Sequence, residues 1–196
     1  QSLKNHGYNF EVPGYLKPKL ATPIPLKEMG RFNHEAVAVD PKTGIVYQTE
    51  DRDDGLIYRF IPNVEGELAK GGKLQAMAIR ENKSLDTRNW PLEINTNPEN
   101  LDFIPDRPVE SPIKIEIGHS LDIEWIDLEN IESPDDDLRQ RGYQMGAALF
   151  ARGEGMWYDS NNIYFACTNG GFNKSGQIFK YIPSPFEGTS REESAP

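Results

Sequence analysis

RFNHEAVAVDPKTGIVYQTEDRDDGLIYRFIP (31–62) and ARGEGMWYDSNNIYFACTNGGFNKSGQIFKYIP (151–183) are two versions of one unit. Glu35 aligns with Glu154 and Asp40 with Asp159; Ile45-Val46-Tyr47 aligns with Ile163-Tyr164-Phe165 and Tyr58–Pro62 with Phe179–Pro183. Each copy reads strand, turn, strand, glycine loop, strand. The break at Asp40–Gly44 has a mechanism, since Pro41 fixes φ and Gly44 permits positive φ. A repeated unit of antiparallel strands, about 40–50 residues long, is the signature of a β-propeller blade. The expected fold is all-β, part of a β-propeller built from four-stranded antiparallel blades, with one inserted helix and an irregular loop.

Working outward, the strands predicted for the first copy are Glu35–Val39, Ile45–Thr49, Leu56–Ile61 and, after the loose Gly71-Gly72, Leu74–Ile79. Upstream, His6–Val12 reads as a short strand ended by Pro13-Gly14. Residues 81–113 carry Trp90-Pro91, Asn97-Pro98, Pro105, Pro108 and Pro112 with little periodicity, an irregular excursion. Lys114–Glu116 and Leu121–Trp125 return to strand. One helix is predicted, with Ser133 as N-cap, Pro134 in the first position and Asp135–Asp137 at the positive end of the dipole. Leu138, Met145 and Leu149 give it an apolar face that Gly142 and Gly146 weaken. The acidic run lacks the alternate ligands of a calcium loop.

These elements divide the chain into one incomplete propeller domain. Residues 1–30 would end a blade, 31–80 form a complete blade and 81–146 hold the irregular segment, strands and helix. Residues 147–183 would supply inner strands of a later blade, with 184–196 a tail. Too few blades are present to close a ring, so the pattern predicts an internal fragment of a longer protein whose open sheet edges permit self-association.

The 196 residues include 17 Gly and 15 Pro, too many for a helical bundle, and 10% aromatics, enough to build a core. No apolar run reaches the ~20 residues of a membrane span. A net charge of −10 argues against nucleic acid as a partner. The single cysteine, Cys167, excludes an internal disulfide and reads as a core thiol in IYFACT.

In a propeller, ligands bind where the innermost strands begin, and Glu35 and Glu154 occupy that place in both copies. Asn33 and His34 precede the first and Arg152 the second, while Glu50 and Asp51, ending the next strand, have Thr168 and Asn169 as counterparts. Convergent carboxylates are hard oxygen ligands, and an arginine beside them suits an oxyanion. The structural alternative stays open: Glu35 could pair with Arg31 or Arg59 within the sheet. His34 and Glu35 must point to opposite faces, so His34 fits a structural role as well as a supporting one. Asp53 and Asp54 read as turn residues, Asp40 and Asp159 as caps of hairpin turns, and Trp157 as core.

GRFNHEAVAVDPKTGIVYQTEDRDDGLIYRFIPN (30–63), GELAKGGKLQAMAI (66–79), IEWIDLENIESPDDD (123–137) and FARGEGMWYDSNNIYFACTNGG (150–171), in that order, resemble the PhoX-type bacterial alkaline phosphatases and their uncharacterised relatives. The resemblance covers most of residues 6–188. It implies a β-propeller, export to the periplasm or medium, hydrolysis of a phosphate monoester substrate, and calcium and iron cofactors in the channel. It implies Glu35, Glu50, Asp51 and Glu154 as metal ligands and Arg152 as the catalytic, phosphate-binding group; Asn33, His34 and Asn169 are read as supporting residues from their places beside these in the repeat. The family's Cys- and Glu-containing motif has no match here, and Cys167 is not its equivalent. The expected function is therefore a metal-dependent phosphomonoester hydrolase whose activity need not survive in this piece alone. The alternatives are a calcium-stabilised scaffold or binding module, and a lactonase-like calcium hydrolase.

Overall fold

The structure, a computed structural model, describes residues 5–14, 19–91 and 114–192. Five strands, β1 (His34–Val39), β2 (Val46–Glu50), β3 (Ile57–Pro62), β4 (Gly72–Ile79) and β5 (Ile123–Asp127), form one antiparallel sheet in sequential order. A second antiparallel sheet holds β6 (Gly153–Asp159), β7 (Asn162–Cys167) and β8 (Gln177–Tyr181), again in order. A short helix, α1 (Leu138–Gln144), lies between the sheets in sequence. Among the described residues the fold is all-β with one inserted α-helix, and both sheets have the up-and-down form of propeller blades.

In β2 every residue is buried, and so are the first four of β3, because the larger sheet is a middle layer. On one face Val46, Tyr58, Phe60 and Leu74 meet Leu26, Phe32, Leu138 and Tyr143. On the other, Ile45, Tyr47, Ile57 and Met77 meet the second sheet through Ile163, Phe165, Cys167 and Tyr181. Each large side chain buried this way contributes about 2 kcal/mol.

A polar ladder crosses the inter-sheet face. Tyr47, Arg59, Gln75 and Asp127 are cross-strand neighbours on β2 to β5. The Arg59 Nε donates to Gln75 (2.7 Å), and the Gln75 amide donates to Asp127 (2.6 Å). The segment after β8 folds back and inserts Glu187, which accepts from Tyr47 (2.9 Å), Arg59 (2.5 Å) and Tyr181 (2.7 Å). Glu192 takes the guanidinium fork of Arg59 at 2.7 Å on both oxygens. One buried carboxylate thereby ties both sheets together.

Several elements differ from expectation. His6–Val12 is not a strand among the described residues. Gly7, at φ +90°, interrupts it; the segment is held by Leu26 N–H to Asn9 O, Phe32 N–H to Gly7 O and one bridge, Phe10 to Pro25. Lys114–Glu116 forms no strand, because the chain turns there, with His119 N–H bonded to Glu116 O. The strand expected at Leu121–Trp125 is Ile123–Asp127, and it extends the first sheet past residue 80 as a fifth strand.

The helix starts at Leu138, not after Ser133, because Ser133 (φ 33°) and Asp136 (φ 55°) are left-handed. Ser133 Oγ instead accepts from Asp137 N–H (3.0 Å), closing the turn before the helix. Met145 is solvent-exposed and Leu149 lies beyond the helix. Gly142 is a close approach: a Cβ there would stand 2.7 Å from a Leu56 methyl. Trp157, expected in the core, is 73% exposed on β6. The prolines at 98, 105, 108 and 112 lie outside the described residues.

Candidate functional site

The expected site residues gather at one end of the two sheets, but not all in one place. β1 and β6, the first strands of their sheets, pack against each other. Each carries a register shift at the same point of the repeat, between His34 and Val37 in β1 and between Gly153 and Met156 in β6. Glu35 and Glu154 sit inside these two irregularities. A bulge re-aims the side chain it carries and recurs beside active sites. Glu35 is exposed and Glu154 is part-exposed.

Asp51 leaves the end of β2 toward the second sheet. Its backbone is fixed to Asn33 by two bonds, Asp51 N–H to Asn33 O (2.9 Å) and Asn33 Nδ2 to Asp51 O (2.7 Å). Its Oδ1 accepts from Arg152 Nε at 3.0 Å. Arg152 Nη2 lies 3.8 Å from Glu154 Oε1, an ion-pair distance, so among the described residues only its Nε is hydrogen-bonded. Arg152 has φ 54°, a left-handed conformation that costs a non-glycine residue of order 1–3 kcal/mol and persists where surroundings impose it. Those surroundings are Arg52 O, which accepts from Arg152 N–H (2.8 Å), and Thr168 N–H, which donates to Arg152 O (3.0 Å).

Asn169 joins the same rim. Its Nδ2 donates to Asp53 Oδ1 (2.7 Å), and its carbonyl accepts from the buried Trp90 indole (2.7 Å). Asp53, expected as a turn residue only, is therefore also a link between the sheets. Asn33, Asp51, Arg152, Glu154 and Asn169 thus form one rim, linked through bonds and shared neighbours.

Glu50 and His34 lie elsewhere. They are cross-strand partners on the face opposite the second sheet. Glu50 is fully buried; its Oε2 accepts from Tyr58 Oη (2.7 Å) and Leu56 N–H (3.2 Å), and its Oε1 has no partner among the described residues. Burial pushes its carboxyl up to about 7, against the Tyr58 bond and the Arg139 charge, which favour the ionised form. Arg139, from α1, donates to Asp54 Oδ1 (3.0 Å) beside it. The ED pair is thus split, because adjacent residues at a strand end point to opposite faces. The same parity, applied to Glu50-Asp51, was the available signal for this separation; nothing local marks Arg139 as the partner of Asp54.

His34 is held on that opposite face, away from Asp51 and Arg152. Its Nε2 lies 3.2 Å from Gly30 O, its ring lies tilted by 31° against Phe32 at 3.6 Å, and burial lowers its pKa to about 4. Cys167 is buried, and burial pushes its thiol up to about 12, so no thiolate is offered. The oxygens of Glu35, Asp51 and Glu154 fit calcium in kind. They do not close a metal centre: among the described residues no three His, Cys, Asp or Glu stand close enough to hold an ion.

The alkaline phosphatase PhoX family matches residues 1–193. The chain belongs to the PhoX family. Among solved structures, Pseudomonas fluorescens PhoX in complex with vanadate, a transition state analogue, is similar at 18% identity and a TM-score of 0.49. The similarity covers 82% of this chain and 30% of that one, so the chain spans under a third of that PhoX chain. Comparison with curated proteins gives no match. No described helix of this PhoX-family chain is long and apolar enough to cross a membrane.

Proposed function

We propose that this chain supplies part of the active site of a metal-dependent phosphomonoester hydrolase, acting outside the cytoplasm. Family membership supports the phosphatase class. The observation that carries the site is Arg152, a left-handed arginine oriented by Asp51 beside the bulged Glu154, with both terminal guanidinium nitrogens left to donate. A guanidinium so oriented recognises the planar pair of oxygens a phosphate presents. Glu35, Asp51 and Glu154 would hold calcium, and further ligands, including those for iron, would come from outside the described residues. When bound, the metal ions would neutralise the phosphate and activate an attacking oxygen. In the free chain Asp51 and Glu154 keep Arg152 from collapsing onto other acceptors, and Asn33 fixes the backbone that carries Asp51.

The test is binding of inorganic phosphate by calorimetry with calcium present, together with hydrolysis of p-nitrophenyl phosphate. Arg152→Ala should weaken phosphate binding at least tenfold and, where turnover occurs, cut it by roughly 10²–10³. Binding and turnover within threefold of the parent would remove Arg152 from the site. Turnover lost to a chelator and restored by calcium with iron supports the phosphatase. Calcium-dependent melting with no phosphate binding supports the scaffold, and ester hydrolysis without iron the lactonase-like alternative.

A further inference from the structure

Thr49 lies in the middle layer of the fold, behind the rim. It is fully buried on β2, next to Glu50, and its side chain faces the second sheet. Its Oγ1 accepts from Ala36 N–H at 3.0 Å and donates to Glu154 O at 2.7 Å. Ala36 is the residue after Glu35, inside the β1 irregularity, and Glu154 is inside the β6 irregularity. One hydroxyl therefore joins the two bulges. Both groups it satisfies are backbone groups that a bulge withdraws from the strand ladder. The fit is tight: a Cβ on Gly153 would stand 3.0 Å from Thr49 Cβ and 3.1 Å from Glu50 O. A larger residue at 153 would push β6 back from β2 by a few tenths of an ångström.

We infer that Thr49 is a positioning residue whose hydroxyl sets the spacing of Glu35 and Glu154. This rests on the proposed reading that the two carboxylates serve one site. A hydroxyl is required because one atom must accept from β1 and donate to β6 at once, which valine cannot do and serine can. The backbone, not the carboxylates, is clamped, so both side chains stay available to a ligand.

The experiment uses the 196-residue chain with Thr49→Val, which removes the hydroxyl at constant shape, and Thr49→Ser, which keeps it. Amide hydrogen exchange at Ala36 reads the clamp, and calcium titration by calorimetry reads its consequence. In Thr49→Val, exchange at Ala36 should speed about tenfold while amides of β3 and β4 stay within twofold, and calcium affinity should fall about tenfold. Thr49→Ser should restore both. Unchanged Ala36 exchange in Thr49→Val overturns the inference, as does calcium affinity within twofold of the parent. If Thr49→Val loosens every strand, Thr49→Ser decides: loss of Ala36 protection with the hydroxyl present refutes the clamp. A parent chain that binds no calcium refutes the metal-site reading for this chain. The exchange data then still decide the clamp.

Discussion

Glu50→Gln should raise stability above neutral pH. The Glu50 carboxyl is fully buried with one oxygen unpartnered, and its pKa is about 7 against an ordinary 4.5. A raised carboxyl pKa means the folded state binds the proton more tightly than the unfolded chain does. Stability contributed by this group is therefore full below the ordinary value and is lost as pH rises toward 7. The gap corresponds to about 3 kcal/mol, fully lost above pH ~8. Glutamine keeps the acceptor for Tyr58 and Leu56 but places two N–H donors where the unpartnered oxygen was, a cost of about 1 kcal/mol. The net expectation at pH 8.5 is a gain of about 2 kcal/mol, and at pH 4.5 a loss of about 1 kcal/mol. Urea denaturation of both proteins from pH 4.5 to 8.5 measures it. Parallel stability curves, with no crossing near pH 5–6, would show that Glu50 does not titrate as its burial demands.

His34 should act with the opposite sign. Its pKa is lowered to about 4, so it is buried neutral, and stability from it is lost as pH falls through 6.5 toward 4; His34→Gln should flatten that acid limb in the same urea series. Arg59→Met should cost about 3–5 kcal/mol in urea denaturation, because it strands Glu187 and Glu192 without their cation. Gly55→Ala should destabilise by roughly 1–3 kcal/mol in a thermal melt, since its Cβ would stand 2.6 Å from Glu50 O and 2.9 Å from Arg52 O, both backbone atoms. That clash also pushes on the loop carrying Asp51, so Gly55→Ala should weaken phosphate binding with Arg152 intact.

Much of the sheet topology was legible because the two copies of the unit say the same thing twice. Ile45-Val46-Tyr47 and Ile163-Tyr164-Phe165 each follow an Asp-led turn, the first leading into and the second lying within the second strand of an antiparallel sheet. Local turn chemistry also held: Asp40 accepts from Lys42 N–H and Thr43 Oγ1, the expected hairpin cap. What was not legible depended on contacts far apart in sequence. β5 joins β4 across more than forty residues, and nothing local in IEWID says which edge it will take. Glu187 reads as an ordinary tail residue, yet three strands supply its donors. Trp157 looks like core by composition and is exposed because its side of β6 meets no other layer among the described residues.

The candidate site shows the same division more sharply. Glu35 and Glu154 were found by repeat equivalence, and the structure adds that their backbones share a distortion, which no composition or periodicity could reveal. The family resemblance groups Glu50 and Asp51 as one motif. On a strand, adjacency separates them: Asp51 reaches the arginine at the rim, while Glu50 is sealed against Tyr58 on the other face. A motif written as letters therefore overstates what one site can contain. In a β protein the residues that can act together are those of one parity, unless a bulge changes the count, and here the bulges stand at Glu35 and Glu154 themselves. If one hydroxyl holds both bulges, the geometry of the carboxylates depends on Thr49, a residue that no functional motif would have marked.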